Sequence, residues 1–153
     1  DFIVSKTDTK GVITYGNKMF IQMSGYSEDE LVGKPHNIIR HPDMPKAVFK
    51  LLWDTVREKE EVFAYVKNLA KDGSYYWVFT NVTASLDLNE NIIGYYSVRR
   101  KPNEGAVKII SDFYAKMVET EKRSWVNAST QMLLDLLNSK GVGYNEFITS
   151  IQG

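Results

Sequence analysis

The chain has 153 residues, 19 basic and 19 acidic side chains, zero net charge and no cysteine. Balanced charge removes any global field toward nucleic acid or an anionic membrane, and the missing thiols exclude disulfides, thiolate catalysis and Cys-ligated zinc or iron–sulfur centres. With 43% hydrophobic and 12% aromatic residues it can build a core, and no apolar run approaches the ~20 residues that span a bilayer.

Phe2 to Thr7 alternates and predicts a strand. Asp8-Thr9-Lys10-Gly11 is a turn, and Val12 to Tyr15 a second short strand. Asn17 can cap a helix that runs through Met19, Phe20 and Met23 and stops at Gly25. Ser27-Glu28-Asp29-Glu30 reads as a capping box opening a very short helix that Gly33 closes. Asn37 to Arg40 predicts one helical turn. Asp43 to Lys59 is the strongest helical stretch, because Ala47, Val48, Leu51, Leu52, Thr55 and Val56 form an apolar stripe of period 3.6. Asp43 is its expected N-cap, with Pro45 in the first turn.

The period then changes to two. Val62 to Leu69 predicts a strand, Lys71-Asp72-Gly73 a hairpin turn, Tyr75 to Leu86 a long strand, and Ile92 to Arg100 a last strand after the turn at Asn89-Glu90-Asn91. Beyond Pro102 helical spacing returns at Val107, Ile110, Phe113, Tyr114, Met117 and Val118. Trp125 to Leu137 predicts a further helix, Lys140 to Gly143 a break, and Asn145 to Ile151 a final short helix. This order is that of an α+β domain with a helical appendage, whose apolar stripe must bury against the sheet, a second chain or itself.

Several side chains stand out chemically. Arg40-His41-Pro42-Asp43 sets a cationic pair before a helix N-terminus. One reading is a polar gate for an anionic group, with Arg40 suited to two parallel charge-assisted bonds. The other is a helix cap with a surface ion pair. Asn68 and Asn81 lie in strong strands, where asparagine is depleted, and by alternation are expected on one side of the sheet. Each offers a donor and an acceptor. Phe49, Trp53, Phe63 and Trp77 either line a ligand slot or are plain core. His36 and His41 have no one-face metal spacing, although a haem needs only one histidine. No nucleophile elbow, phosphate loop, zinc-protease motif or kinase set is present, so no enzyme is expected.

"GNKMFIQMSGYSEDELVGKP", "KNLAKDGSYYW" and "GYYSVRR" resemble a PAS sensor domain. "PHNIIRHPDMPKAVFKLLW" is more specific and resembles the flavin-binding PAS domain of Aer-type aerotaxis receptors. The resemblance covers roughly Ile3 to Lys101. It implies a PAS fold over residues 1–103, a five-stranded antiparallel sheet with short helices on one face, and a C-terminal helical extension over 104–153. It also implies noncovalent binding of FAD, with Asn17, Arg40, His41, Asp43, Phe49, Trp53, Asn68, Trp77 and Asn81 at the matching positions. The sequence departs from the pattern at Val62, where many flavin-binding PAS domains carry tryptophan. Phe63, Trp53 or Trp77 is then expected to supply the aromatic surface.

With no anchor or signal peptide read in the sequence, the resemblance is to a stand-alone cytoplasmic PAS partner in energy taxis. Such a protein relays redox or oxygen state to a membrane-anchored chemoreceptor at the inner face of the membrane. A homodimer is a second expected contact. Two alternatives remain open at this point: a cofactor-free interaction module and a haem-based gas sensor.

Overall fold

A computed structural model describes residues 1–153. The period-two segments become β1 (Ile3–Thr7), β2 (Ile13–Gly16), β3 (Val62–Leu69), β4 (Tyr75–Leu86) and β5 (Ile92–Arg100). They form one antiparallel sheet in the order β2-β1-β5-β4-β3. The last strand in sequence is therefore the central one.

Register decides which side chains share a face, because paired residues across antiparallel strands point the same way. One row runs Ser5, Ser97, Val82, Val62, and the next Ile3, Arg99, Thr80, Ala64. Val66 and Asn68 continue this face along β3. The alternate residues Phe63, Tyr65, Trp77, Phe79 and Asn81 point to the opposite face. The expectation that Asn68 and Asn81 share a side is thus overturned. Asn68 pairs with Tyr76, whereas Asn81 pairs with Phe63, one step out of phase.

The connection from β2 to β3 carries α1 (Lys18–Ser24), α2 (Glu28–Leu31), a 3₁₀ turn (His36–Ile39) and α3 (Lys46–Arg57). Asn17 caps α1, its Oδ1 accepting from Phe20 N at 3.0 Å and from Val4 N at 3.1 Å, so one side chain ties the helix to β1. The Ser27–Glu30 capping box is present in full. No helix is long and apolar enough to cross a membrane.

α3 begins later than its periodicity predicts, and Asp43 does not cap it. Pro45 occupies the N-cap position, and its ring offers no acceptor to the helix. The free N–H groups of Lys46 and Ala47 are met instead by the carboxylate of Glu121, at 3.0 and 3.1 Å. Asp43 turns away to Lys67, whose Nζ lies 2.9 Å from its Oδ2.

Glu121 belongs to α4 (Glu104–Arg123), the first helix of the extension; α5 (Val126–Lys140) and α6 (Tyr144–Gln152) follow. The extension buries its stripe in its own chain. Ile110, Tyr114, Met117, Leu133, Leu137, Phe147 and Ile148 join Tyr65, Val66, Val78 and Phe79 in one continuous core. Burial of side chains such as Ile110 and Met117 contributes roughly 1.5–3 kcal/mol each.

The extension also closes the outer edge of β3. Asn145 Oδ1 accepts from Phe63 N at 3.0 Å, and Asn145 Nδ2 donates to Glu61 O at 2.9 Å. Tyr114 donates its hydroxyl to Tyr65 O at 2.8 Å. An open edge strand invites pairing with another chain, and these three bonds occupy it.

Candidate functional site

A cavity of about 140 Å³ lies between α3 and the face of the sheet that carries Asn68. The stripe of α3 supplies one wall with Phe49, Leu52 and Trp53. The opposite wall comes from the inward phases of all but one strand. These give Ser5 on β1, Tyr95, Ser97 and Arg99 on β5, Thr80 and Val82 on β4, and Val66 and Asn68 on β3. The 3₁₀ turn closes the end with His36, Ile39 and Arg40.

Apolar side chains share the wall with polar ones, of which Ser5 and His36 are hydrogen-bonded and several are not. Asn68 Nδ2, Thr80 Oγ1 and Arg99 Nε are all buried and make no hydrogen bond, and the buried hydroxyl of Tyr76, paired with Asn68, is equally free. Asn68, Thr80 and Arg99 are each only 3% exposed. A buried donor without a partner costs roughly 1–3 kcal/mol. Several around one cavity are the arrangement of a site built for something that supplies acceptors and donors.

Arg99 has an unusual setting. Its guanidinium lies 4.7 Å from the Phe20 ring centroid. One terminal nitrogen donates to Ser5 Oγ at 2.7 Å, and the other lies 3.3 Å from His36 Nε2. Ser5 Oγ lies 2.9 Å from the same Nε2. Facing two donors, Nε2 must accept, which leaves the ring proton on Nδ1 and His36 neutral. Burial, reinforced by the Arg99 charge, pushes the His36 pKa down to about 3. Burial likewise pushes Arg99 down to about 10.

The sequence-predicted residues divide. Arg40, Phe49, Trp53 and Asn68 meet at the cavity. Arg40 stacks over Phe49, with its guanidinium carbon 4.1 Å from the ring centroid. Its pKa is lowered by burial and partly restored by Glu121. His41 and Asp43 form a separate outer cluster, in which His41 Nδ1 accepts from Asp43 N at 3.0 Å and the His41 ring lies edge-on to Tyr75. Burial lowers the His41 pKa, Lys67 adds to this, and Asp43 opposes it.

Asn17, Trp77 and Asn81 are elsewhere. Asn17 is spent as the cap of α1. Trp77 packs beside Tyr114 of α4, at 6.1 Å between ring centroids. Asn81 Nδ2 lies 3.4 Å from Val62 O, at the limit for a hydrogen bond. Of the three aromatics expected to replace a tryptophan at Val62, only Trp53 lines the cavity, edge-on to Tyr95. Val62 itself is buried with Leu52, Val56 and Val82.

Sequence reasoning missed the inward polar residues of β1, β4 and β5, above all Ser5, Thr80, Ser97 and Arg99. Their signal was polar residues two apart within strands, Ser5 with Thr7 and Ser97 with Arg99. Alternation alone does not say which phase faces inward. No group of three or more His, Cys, Asp or Glu residues could hold a metal ion.

A five-stranded antiparallel sheet in the order β2-β1-β5-β4-β3, with α1 to α3 crossing one face over a cavity, is the architecture of the PAS fold. The PAS fold family matches residues 13–99, more than half of the chain, and the chain belongs to that family. It is 39% identical over 112 residues to the aerotaxis receptor of Escherichia coli K12, which covers 73% of this chain and 22% of that receptor. The chain thus spans about a fifth of the length of the curated relatives it matches. The light-state structure of the blue-light photoreceptor aureochrome1 LOV aligns with a TM-score of 0.61 at 23% identity, covering 80% of this chain and 91% of that one. A light-oxygen-voltage domain studied with a flavin analogue aligns with a TM-score of 0.60 at 22% identity, covering 80% and 86%. At such identities these structures establish the fold.

Proposed function

We propose that this PAS domain holds a flavin, FAD as the sequence resemblance implies, in the cavity between α3 and the sheet. In this reading it relays the flavin's redox state to a membrane-anchored chemotaxis transducer by protein contact. The observation that carries the reading is the set of partnerless buried atoms, Asn68 Nδ2, Thr80 Oγ1 and Arg99 Nε, around one cavity. Their donor character fits the heteroatom-rich edge of a flavin ring. Relationship to the aerotaxis receptor supports it.

A bound flavin supplies reversible electron uptake, which changes the charge of its ring. The chain's own residues do the rest. Asn68 and Thr80 orient the polar edge, Phe49 and Trp53 cover the ring, and Arg40 stands at the open side for a phosphate or ribose. His41 and Asp43 hold the loop that positions Arg40. Signal passes outward through α3, which walls the cavity with Phe49 and Trp53 and is capped by Glu121 of α4. A change at the ring then biases the docking of the extension, by no more than the difference in flavin contacts between two states. The output partner reads that docking, in a cytoplasmic setting beneath the membrane.

A second reading is favoured by size. The cavity, about 140 Å³, is close to the ~150 Å³ void that admits one benzene ring, so a three-ring system needs its walls to part. A cofactor-free interaction module, dimeric or receptor-bound, needs no such movement. An absorbance spectrum of freshly purified protein separates the two, followed by heat release of any chromophore. A two-banded flavin spectrum with released FAD supports the sensor. Colourless protein that refuses added FAD supports the interaction module, and a Soret band would overturn both in favour of haem.

A further inference from the structure

Arg99 is a buried cation without a counter-ion. None of the five ion pairs in the protein includes it. Its terminal nitrogens meet only neutral acceptors, Ser5 Oγ and His36 Nε2, and the face of Phe20. Its Nε has no partner, and the residue lines the cavity. Holding a guanidinium out of water without a carboxylate is expensive, and an apolar residue of similar size would usually serve stability as well or better. The surroundings do not neutralise it either. Tyr76, an acid that bears on it, is a phenol whose pKa burial raises, which keeps it neutral.

The local design keeps the charge available. His36 stacks parallel to Phe20 with ring centroids 5.7 Å apart, and both rings brace the guanidinium. The neutral tautomer of His36 accepts from it without adding a second positive charge. Arg99 therefore sits in a fixed orientation on the central strand, with its Nε–H left without a partner at the cavity wall.

We propose that Arg99, positioned by Ser5 and His36, is a receptor for negative charge on a planar ring ligand, so that the cavity selects the anionic form of what it binds. For the ring identity this rests on the flavin reading given above. A flavin that gains two electrons and one proton carries one negative charge, and Arg99 then favours the reduced over the oxidised ring. The residue thereby biases the sensor toward its reduced state.

Two arms test this, and the colour of the purified protein chooses between them. If the protein is yellow, or takes up added FAD, the midpoint potential of its bound flavin is measured in wild type, Arg99→Lys and Arg99→Met. The potential is expected to become more negative in Arg99→Met and to move less in Arg99→Lys. An unchanged potential in Arg99→Met overturns the proposal while leaving flavin binding intact. If the protein is colourless and refuses added FAD the flavin reading falls, and the receptor is probed with benzoate against its neutral counterpart benzamide. Wild type is expected to bind benzoate at least tenfold more tightly and to shift the Arg99 Nε–H resonance on binding. Arg99→Met is expected to lose that preference. Equal affinity for the two probes, no benzoate binding, or a preference that survives in Arg99→Met each overturns the proposal. Neither arm depends on a well-folded Arg99→Met: the benzoate comparison is made on wild type, and in the yellow arm wild type is expected to bind reduced flavin more tightly than oxidised flavin, equal affinity overturning the proposal.

Discussion

Glu121 caps the helix of Ala47 from 74 residues away in sequence, its Oε1 lying 3.1 Å from Ala47 N. The same carboxylate accepts from Lys46 N. A helix N-terminus presents free N–H groups and a partial positive charge, so a carboxylate there is doubly suited. The contact fastens the extension to the helix that forms one wall of the cavity.

Glu121→Ala is therefore expected to destabilise the protein by about 1 kcal/mol, the usual worth of a lost N-cap. Glu121→Gln keeps one acceptor and loses less. Urea unfolding followed by circular dichroism gives the stability. Amide exchange in the first turn of α3 is expected to rise in the Ala variant. Unchanged exchange at Lys46 and Ala47 would show that the cap does not hold in solution.

Asn68 and Asn81 are expected to behave differently because they face opposite sides of the sheet. Asn68→Ala removes a donor from the cavity wall. FAD affinity, read by fluorescence quenching, is expected to fall about tenfold, or ~1.4 kcal/mol. Asn81→Ala is expected to change it less than about twofold, within ~0.4 kcal/mol. Equal losses in both variants would place the ligand elsewhere.

The pH dependence of stability carries the signature of His36. Its folded pKa, about 3, lies below the ordinary value of 6.5, because burial and Arg99 disfavour the charged ring. The unfolded chain thus binds a proton that the folded one refuses. Stability from this group is whole above the unfolded pKa and drains as pH falls from 6.5 toward 3, with a slope approaching ~1.4 kcal/mol per pH unit. His41 acts in the same direction, and the carboxylates held below their ordinary values, such as Asp43, add their loss only at lower pH. Urea midpoints of wild type and His36→Gln between pH 7 and 4.5 are expected to converge as pH falls. A constant gap would show that His36 is not held neutral.

Asn145 closes the edge of β3 with two hydrogen bonds. Asn145→Ala is expected to cost about 1 kcal/mol, because the part-buried Phe63 N loses its partner while the exposed Glu61 O turns to water. Analytical ultracentrifugation checks a second consequence, since an opened edge is a template for pairing between chains. A strictly monomeric, fully stable Asn145→Ala would show that water serves that edge equally well.

The sequence determined what short-range physics controls. Alternation marked all five strands, a 3.6-residue period marked α3 and the extension, and Asn17 and the Ser27–Glu30 box opened their helices because caps act within one turn. Of the residues expected at a ligand site, Arg40, Phe49, Trp53 and Asn68 line one cavity, and they come from the stretch running into α3 and from one polar position in β3. Only the tertiary structure decided the rest. Whether Asn81 or Thr80 faces the cavity is a matter of strand phase, which pairing across the sheet fixes and local pattern does not. That Asp43 yields its cap to Glu121 depends on α4 returning to α3. Arg99 looked like one of two arginines ending a strand. It became a buried cation because β5, last in sequence, is the middle of the sheet.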